Sequence, residues 1–166
     1  MPVREEPTAH LLRDLAVHAK HRELRPVYRV SENLIALRGQ AWDFIARDGK
    51  ENLAQALILR ILTPRGELAA LAHPDYGSRV HELIGRENTA TQRNLLKLYI
   101  LEAVKAEPRV EKVVELKIDP VTRQRPDPKT GLRPAPGSTV DVLLRVKPAG
   151  ATGVVTIGPF SIELAV

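Results

Sequence analysis

The chain of 166 residues contains no cysteine. Disulfides, thiolate metal sites and a cysteine nucleophile are therefore excluded, and folding in a reducing cytoplasm is the natural expectation. Aromatic residues make up only 4% of the chain, so its core has to be built from aliphatic side chains. No segment approaches the roughly 18 apolar residues of a membrane span, and the N-terminus lacks the apolar run of a signal peptide. We expect a protein that is soluble when made.

The sequence also lacks the usual catalytic motifs: a glycine-rich phosphate loop, zinc-ligand spacing and a nucleophile elbow. Glu102, Glu107 or Asp75 could in principle form the carboxylate pair of a glycosidase, but coincidental pairs are expected among 20 acidic residues. His73, Asp75 and Ser78 form a superficially triad-like set that is more simply explained as turn residues. We predict no catalytic residue, no metal and no cofactor, and a cell-wall glycosidase is the weakest alternative.

The formal net charge of +5 permits contact with nucleic acid or with an acidic protein. A nucleic-acid-binding protein needs a focused positive face, whereas the basic residues here are scattered along the chain. A basic nucleic-acid-binding protein is therefore the main alternative function, and not the favoured one.

The first part of the chain has one helical pattern. Apolar residues recur at three- and four-residue spacing from Thr8 to about Arg25, which predicts an amphipathic helix that ends before Pro26. Residues 27–39 show little periodicity and are expected to be mostly loop. We treat residues 1–30 as an N-terminal extension and residues 31–166 as a single domain.

Residues 41–106 are predicted to form a helical body. Residues 41–50 predict a short strand closed by an Asp-Gly turn. Apolar residues from Glu51 to Leu62 have the spacing of a helix with a broad buried face. Residues 78–84 predict a short helix, and a long helix begins at Asn88 or Thr89 and runs to Ala106.

The long helix is predicted to stop at Glu107-Pro108-Arg109-Val110. Pro108 has no backbone N–H to donate and disfavours the helical conformation of the residue before it. In an extended segment, residues two apart point the same way, so Glu107 and Arg109 would present a carboxylate and a guanidinium side by side. That pair is either a local ion pair or a handle for docking a partner.

Residues 110–166 have the alternating pattern of a β-sheet. Strands are predicted around residues 114–118 and 140–146, and the connection over residues 119–138 holds five prolines, which indicates a long hairpin loop. Residues 154–164 change phase at Gly158-Pro159, as an edge strand or a bulge would. The predicted fold class is α+β, with an N-terminal helical body followed by a small antiparallel β-sheet that partner strands can extend.

Four landmarks follow one another in order. They are Glu51-Asn52-Leu53-Ala54-Gln55-Ala56-Leu57, Leu62-Thr63-Pro64-Arg65-Gly66-Glu67, Pro74-Asp75-Tyr76-Gly77-Ser78, and a long helix leading into Glu107-Pro108-Arg109-Val110. Their order and spacing resemble the phage T4-type baseplate wedge or sheath-initiator family of contractile injection systems. These lysozyme-like wedge proteins also occur in pyocins, extracellular injection particles and type VI secretion. The resemblance covers residues 42–118 well and the closing strands in outline.

The resemblance implies a structural protein and no enzyme activity. Such proteins sit as six copies around the tube of a virion or particle baseplate, which is assembled in the bacterial host cytoplasm. Glu107 and Arg109 would contact the helical core bundle of the wedge proteins, with Pro108 and Val110 in the same segment. An internal Glu107-Arg109 pair is the alternative.

The resemblance also implies that the closing strands pair with strands of the first sheath ring. The candidate residues are Val140, Val142, Leu144, Phe160, Ile162 and Leu164. Pairing of these strands within the chain alone is the alternative. The implied partners are thus wedge proteins and the sheath protein, with no membrane, no specific nucleic acid and no cofactor.

Overall fold

The computed structural model describes residues 9–20, 27–29, 34–36, 42–121 and 139–164. Within them the fold class is α+β, as predicted, although the helices are not confined to the N-terminal part. The strands are β1 (Arg13–Leu15), β2 (His18–Lys20), β3 (Val27–Arg29), β4 (Leu34–Ala36), β5 (Trp42–Phe44), β6 (Ala46–Asp48), β7 (Val110–Pro120), β8 (Thr139–Pro148) and β9 (Val155–Glu163). The α-helices are α1 (Gly49–Leu62) and α2 (Ala90–Lys105), and short 3-10 helices span Ala9–Leu11, Ala69–Leu71 and Val80–Leu83.

The helix predicted from Thr8 to Arg25 is wrong over the residues that the structure describes. A 3-10 turn is followed there by β1 and β2, which pair antiparallel with β6 and β3. Leu11 is fully buried, whereas Leu12 and Leu15 are 60% and 44% exposed, so these apolar side chains do not share one helical face. Residues 21–26 lie outside the described residues.

The loop and strand predicted next are partly correct. The expected loop over residues 27–39 contains β3 and β4, and β4 pairs antiparallel with β5. The predicted strand over residues 41–50 is present as β5 and β6. The Asp-Gly pair that closes it begins a helix instead of a turn, because Asp48 is the N-cap of α1 and Gly49 is its first residue.

Both predicted long helices are confirmed. In α1, Leu53, Leu57 and Ile61 are spaced four residues apart and are buried on one face. In α2, the side-chain oxygen of Thr89 accepts a hydrogen bond from the backbone N–H of Gln92 at 3.2 Å, which caps the helix where the sequence predicted its start. The short helix predicted over residues 78–84 is the 3-10 helix Val80–Leu83.

The three long strands form an antiparallel sheet in the order β7-β8-β9. Alternate residues of β8 are buried on one face, and its outer face carries Asp141, Leu143, Arg145 and Lys147. Val142 pairs with Phe160 and Leu144 with Ile157, so a bulge lies at Gly158-Pro159 and the predicted phase change is confirmed. Pro120 pairs with Val140, so the two ends of the predicted proline-rich loop are adjacent. Residues 122–138 of that loop lie outside the described residues.

One hydrophobic core joins the helices, the sheet and the N-terminal segment. The helices cover the buried face of the sheet, with α1 contacting β9 and α2 contacting β7. Leu11 belongs to this core and is 0% exposed, which stabilises the fold by about 1.5–3 kcal/mol on ordinary burial energies. The described start of the N-terminal extension is therefore packed into the domain. Among the described helices, none has the length and apolar character to cross a membrane.

Candidate docking site at the end of the second helix

The segment from Glu107 to Val110 is a β-turn. The backbone N–H of Val110 donates to the carbonyl of Glu107 at 3.0 Å, which places Pro108 at the second position, where proline is favoured. The backbone N–H of Ala149 donates to the carbonyl of Arg109 at 2.9 Å and ties the turn to the end of β8. The extended conformation expected here is wrong, although Glu107 and Arg109 do lie side by side.

The Glu107 carboxylate lies between two guanidinium groups. One of its oxygens accepts from Nε of Arg109 at 2.6 Å, and the other accepts from Nη2 of Arg60 at 3.5 Å. The Arg60 guanidinium stacks over the Tyr76 ring at 4.5 Å from its centroid. Only 6% of the Glu107 side chain is exposed, so the folded chain contains the internal ion pair that the sequence left as an alternative.

Charge and burial compete at this site. Burial alone would raise the pKa of Glu107, but the hydrogen bonds and charge of Arg109, with the charge of Arg60, outweigh it and hold that pKa below its usual value. Burial raises the pKa of Tyr76. Glu107 is therefore ionised at neutral pH and acts as the shared counter-ion of two arginines.

Polar side chains bind the N-terminal segment to the region around Glu107 and Arg109, which we call the corner. Nη1 of Arg109 and Nδ2 of Asn52 both donate to the carbonyl of Leu11, at 3.1 and 3.0 Å. Nε2 of Gln55 donates to the carbonyl of Leu15 at 2.8 Å. Sequence reasoning missed this role of α1, although two buried amide side chains on an otherwise apolar helix face were a usable signal.

The two turn landmarks pair with each other. The backbone N–H of Arg65 donates to the carbonyl of Ser78, and the N–H of Ser78 donates to the carbonyl of Thr63, both at 2.8 Å. Gly77 has φ +104°, and a Cβ there would lie 2.6 Å from the Thr63 carbonyl oxygen, so only glycine fits. The Ser78 hydroxyl donates to the carbonyl of Ile61, which anchors the turn to α1.

The candidate catalytic side chains are engaged elsewhere. Arg65 binds Glu102 at 2.8 Å and Asp75 at 3.2 Å on the surface. The hydroxyl of Ser78 is buried and donates inward, while the Asp75 side chain is 88% exposed. His73, Asp75 and Ser78 are thus turn residues in this structure and do not form a nucleophilic triad.

The turn presents only part of the predicted docking segment to a partner. Pro108 is exposed, and Arg109 and Val110 are half-buried. Glu107 lies behind them with its carboxylate turned inward. A partner arriving at this corner therefore meets Pro108 and the accessible edges of Arg109 and Val110, and Glu107 holds the turn in shape.

The structure separates the two candidate strands for sheath pairing. Val140, Val142 and Leu144 belong to β8, which is paired on both sides by β7 and β9 and has no free edge there. Partner pairing through β8 is therefore ruled out in this arrangement. Phe160 and Ile162 belong to β9, which is an edge strand of the sheet among the described residues, and Leu164 follows its last residue. The side chains of all six candidates are buried in the core.

Comparisons of this chain with protein-family models, with curated proteins and with solved structures return no match. The geometry of the corner and the ordered landmarks are thus the basis on which a function can be inferred.

Proposed function

We propose that the chain is a non-enzymatic structural component of the baseplate of a contractile tail or injection system. In this proposal the turn from Glu107 to Val110 docks on the helical core bundle of the wedge proteins. The outer edge of β9 pairs with strands of the first sheath ring. Six copies surround the tube, in a particle that is assembled in the bacterial cytoplasm.

The observation that carries the proposal is that α1, the helix containing the first landmark, meets the third and fourth landmarks at one corner. Tyr76 of the third landmark stacks on Arg60, which follows the first landmark on α1, and Arg60 binds Glu107 of the fourth. The second landmark, residues 62–67, is hydrogen-bonded to the third through Ser78. Contacts between segments that are far apart in sequence thus fix the position of the turn.

A turn held in this way suits docking. Its shape is fixed from behind by the buried ion pairs of Glu107 and from the side by the hydrogen bond to Ala149. Binding then costs little additional ordering of the backbone, because the presenting segment is already rigid. Pro108 limits the freedom of the exposed residue further.

The position of β9 at the edge of the described sheet suits the second part of the proposal. Main-chain hydrogen bonds along an open edge supply affinity without demanding a particular sequence, which fits a template that starts a polymer. A partner strand could pair along β9 (Val155–Glu163) on either side of the bulge at Gly158-Pro159.

The docking test uses two matched prolines. Pro74 is exposed and occupies the second position of another β-turn, which is closed by the N–H of Tyr76 donating to the carbonyl of His73 at 3.2 Å. Pro108→Asp places a charge on the docking surface without removing the buried ion pair, and Pro74→Asp makes the same change elsewhere. The tagged proteins are purified from cells that make the whole particle, and the bound chains are identified.

We expect wild type and Pro74→Asp to recover wedge and sheath proteins, and Pro108→Asp to recover at least about tenfold less, as a charge buried without a partner requires. Equal recovery by the two variants would contradict docking through the turn. Wild type that emerges alone and monomeric from such cells would contradict the baseplate function itself.

A further inference from the structure

A groove of about 510 Å³ runs between α2 and β7. One wall is a single face of α2, formed by Lys97, Leu101 and Lys105 at four-residue spacing. The other wall is residues 110–116 of β7. Leu101, Val110 and Val113 give the groove an apolar lining that is only partly buried. Apart from Val110, none of these residues belongs to the turn from Glu107 to Val110, which we call the docking turn.

The charge in the groove is unbalanced. Its two acidic residues are already neutralised within the chain, because Glu111 binds Lys147 at 2.7 Å and Glu115 binds Lys117 at 2.8 Å and Arg145 at 3.2 Å. Three exposed lysines of the groove have no acidic partner within the part of the chain that the structure describes: Lys97, Lys105 and Lys112. The groove therefore offers three positive charges to an incoming ligand.

The backbone of β7 is also available. Within the described residues it pairs on one side only, with β8, so the other side carries free N–H and carbonyl groups. The register with β8 shifts between Val113 and Glu115, and Val114 at that bulge is 45% exposed. An open edge beside an apolar lining is the arrangement that accepts an extended peptide.

We propose that this groove binds an extended acidic segment of a partner protein. Its backbone adds to the free edge of β7, its apolar side chains contact Leu101 and Val113, and its carboxylates bind the three lysines. The inference does not depend on the docking turn or on β9.

The test uses the full chain and a fluorescein-labelled peptide of 11 residues, the length of β7, that alternates valine with glutamate. Fluorescence anisotropy should show saturable binding that weakens as salt is added. The same peptide with serine in place of glutamate should bind at least about tenfold more weakly, since it lacks the charge complementarity.

Two charge-reversal variants locate the site. Lys97→Glu with Lys105→Glu changes one wall of the groove and should weaken binding of the acidic peptide by at least about tenfold. Arg13→Glu with Arg86→Glu shifts the net charge by the same amount at exposed positions outside the groove and should leave binding unchanged. Circular dichroism confirms that both variants fold.

Amide chemical shifts give an independent readout. The peptide should perturb the amides of residues 97–105 and 110–116, and leave those of β9 unchanged. Absence of saturable binding, equal weakening by both variants or perturbation centred on β9 would each overturn the proposal. It would also be overturned if a single-stranded oligonucleotide bound through these lysines and the peptide did not.

Discussion

Two arginine–carboxylate clusters of opposite composition involve α1, α2 and the landmark turns. In the buried cluster one carboxylate, Glu107, serves two arginines, and all three side chains are 6–16% exposed. In the surface cluster one arginine, Arg65, serves two carboxylates, and its three side chains are 42–88% exposed. Water can replace a lost partner in the second cluster and hardly in the first. Each cluster contains two ion pairs, so burial is what makes the first cluster the stronger support for the turn from Glu107 to Val110.

Among single substitutions in the two clusters, we expect Glu107→Gln to lower stability the most. The substitution keeps the shape of the side chain but leaves two buried guanidinium groups without their counter-ion. We expect the free energy of unfolding to fall by about 3–5 kcal/mol, the cost of breaking a buried pair from one side. Urea unfolding followed by circular dichroism measures it.

Glu102→Gln is the matched control in the surface cluster, where the carboxylate is 48% exposed. It should cost under about 1 kcal/mol, as exposed pairs do. If the two glutamine variants lost the same stability, burial would not be what distinguishes the clusters.

The stability of the fold should depend on pH through the charge of Glu107. The folded pKa of Glu107 lies below its usual value, so the stability that its carboxylate contributes is complete above about pH 4.3 and is lost as the pH falls through the lower folded pKa. The Glu107→Gln variant has no carboxyl group at this position, so its free energy of unfolding does not change with pH through this group. The gap in stability between wild type and the variant should therefore close in acid.

The wild type alone would not isolate this effect. The pKa of Glu82 is lowered by its hydrogen bond from Arg79, and that of Glu115 by its hydrogen bond from Lys117. Both acids are present in wild type and variant, so their effects cancel in the difference. A gap that stayed constant from neutral pH to about pH 3 would show that the charge of Glu107 is not what stabilises the fold.

The smallest expected effect belongs to Arg65→Ala. Solvent reaches all three side chains of the surface cluster, and the backbone hydrogen bond of Arg65 to Ser78 does not need its side chain. We expect no measurable change in the urea midpoint, and Arg109→Ala measured alongside should lower it clearly. A large loss from Arg65→Ala would mean that the surface cluster also holds the turn.

The helices and the long strands could be predicted because their signals are local. The four-residue spacing in α1, the cap at Thr89 and the alternation in β8 each lie within one element. The end of the long helix before Pro108 is also a local signal, because proline cannot donate a helical hydrogen bond and disfavours a helical conformation in the residue before it. The depth at which Glu107 is buried could not be predicted, because it depends on Arg60 and Tyr76 from distant segments.

The N-terminal segment shows the opposite case. Its apolar residues fit a helical spacing, yet Leu11 faces the core while Leu12 and Leu15 face solvent. Its backbone is bound by Asn52 and Gln55, which lie about 40 residues later in the sequence. The spacing of apolar residues reports only on the segment itself. The conformation of this segment depends instead on contacts with residues that are distant in sequence.

We propose that the turn at Pro108 touches a wedge protein in the assembled particle. The most direct measurement replaces Pro108 with a photo-crosslinking amino acid, illuminates cells that assemble the particle, and identifies the cross-linked chain. Pro74, the second residue of the matched turn, is the control position. We expect a cross-link to a wedge protein from position 108 and none from position 74. Cross-links to wedge protein from both positions alike, or from neither, would contradict it.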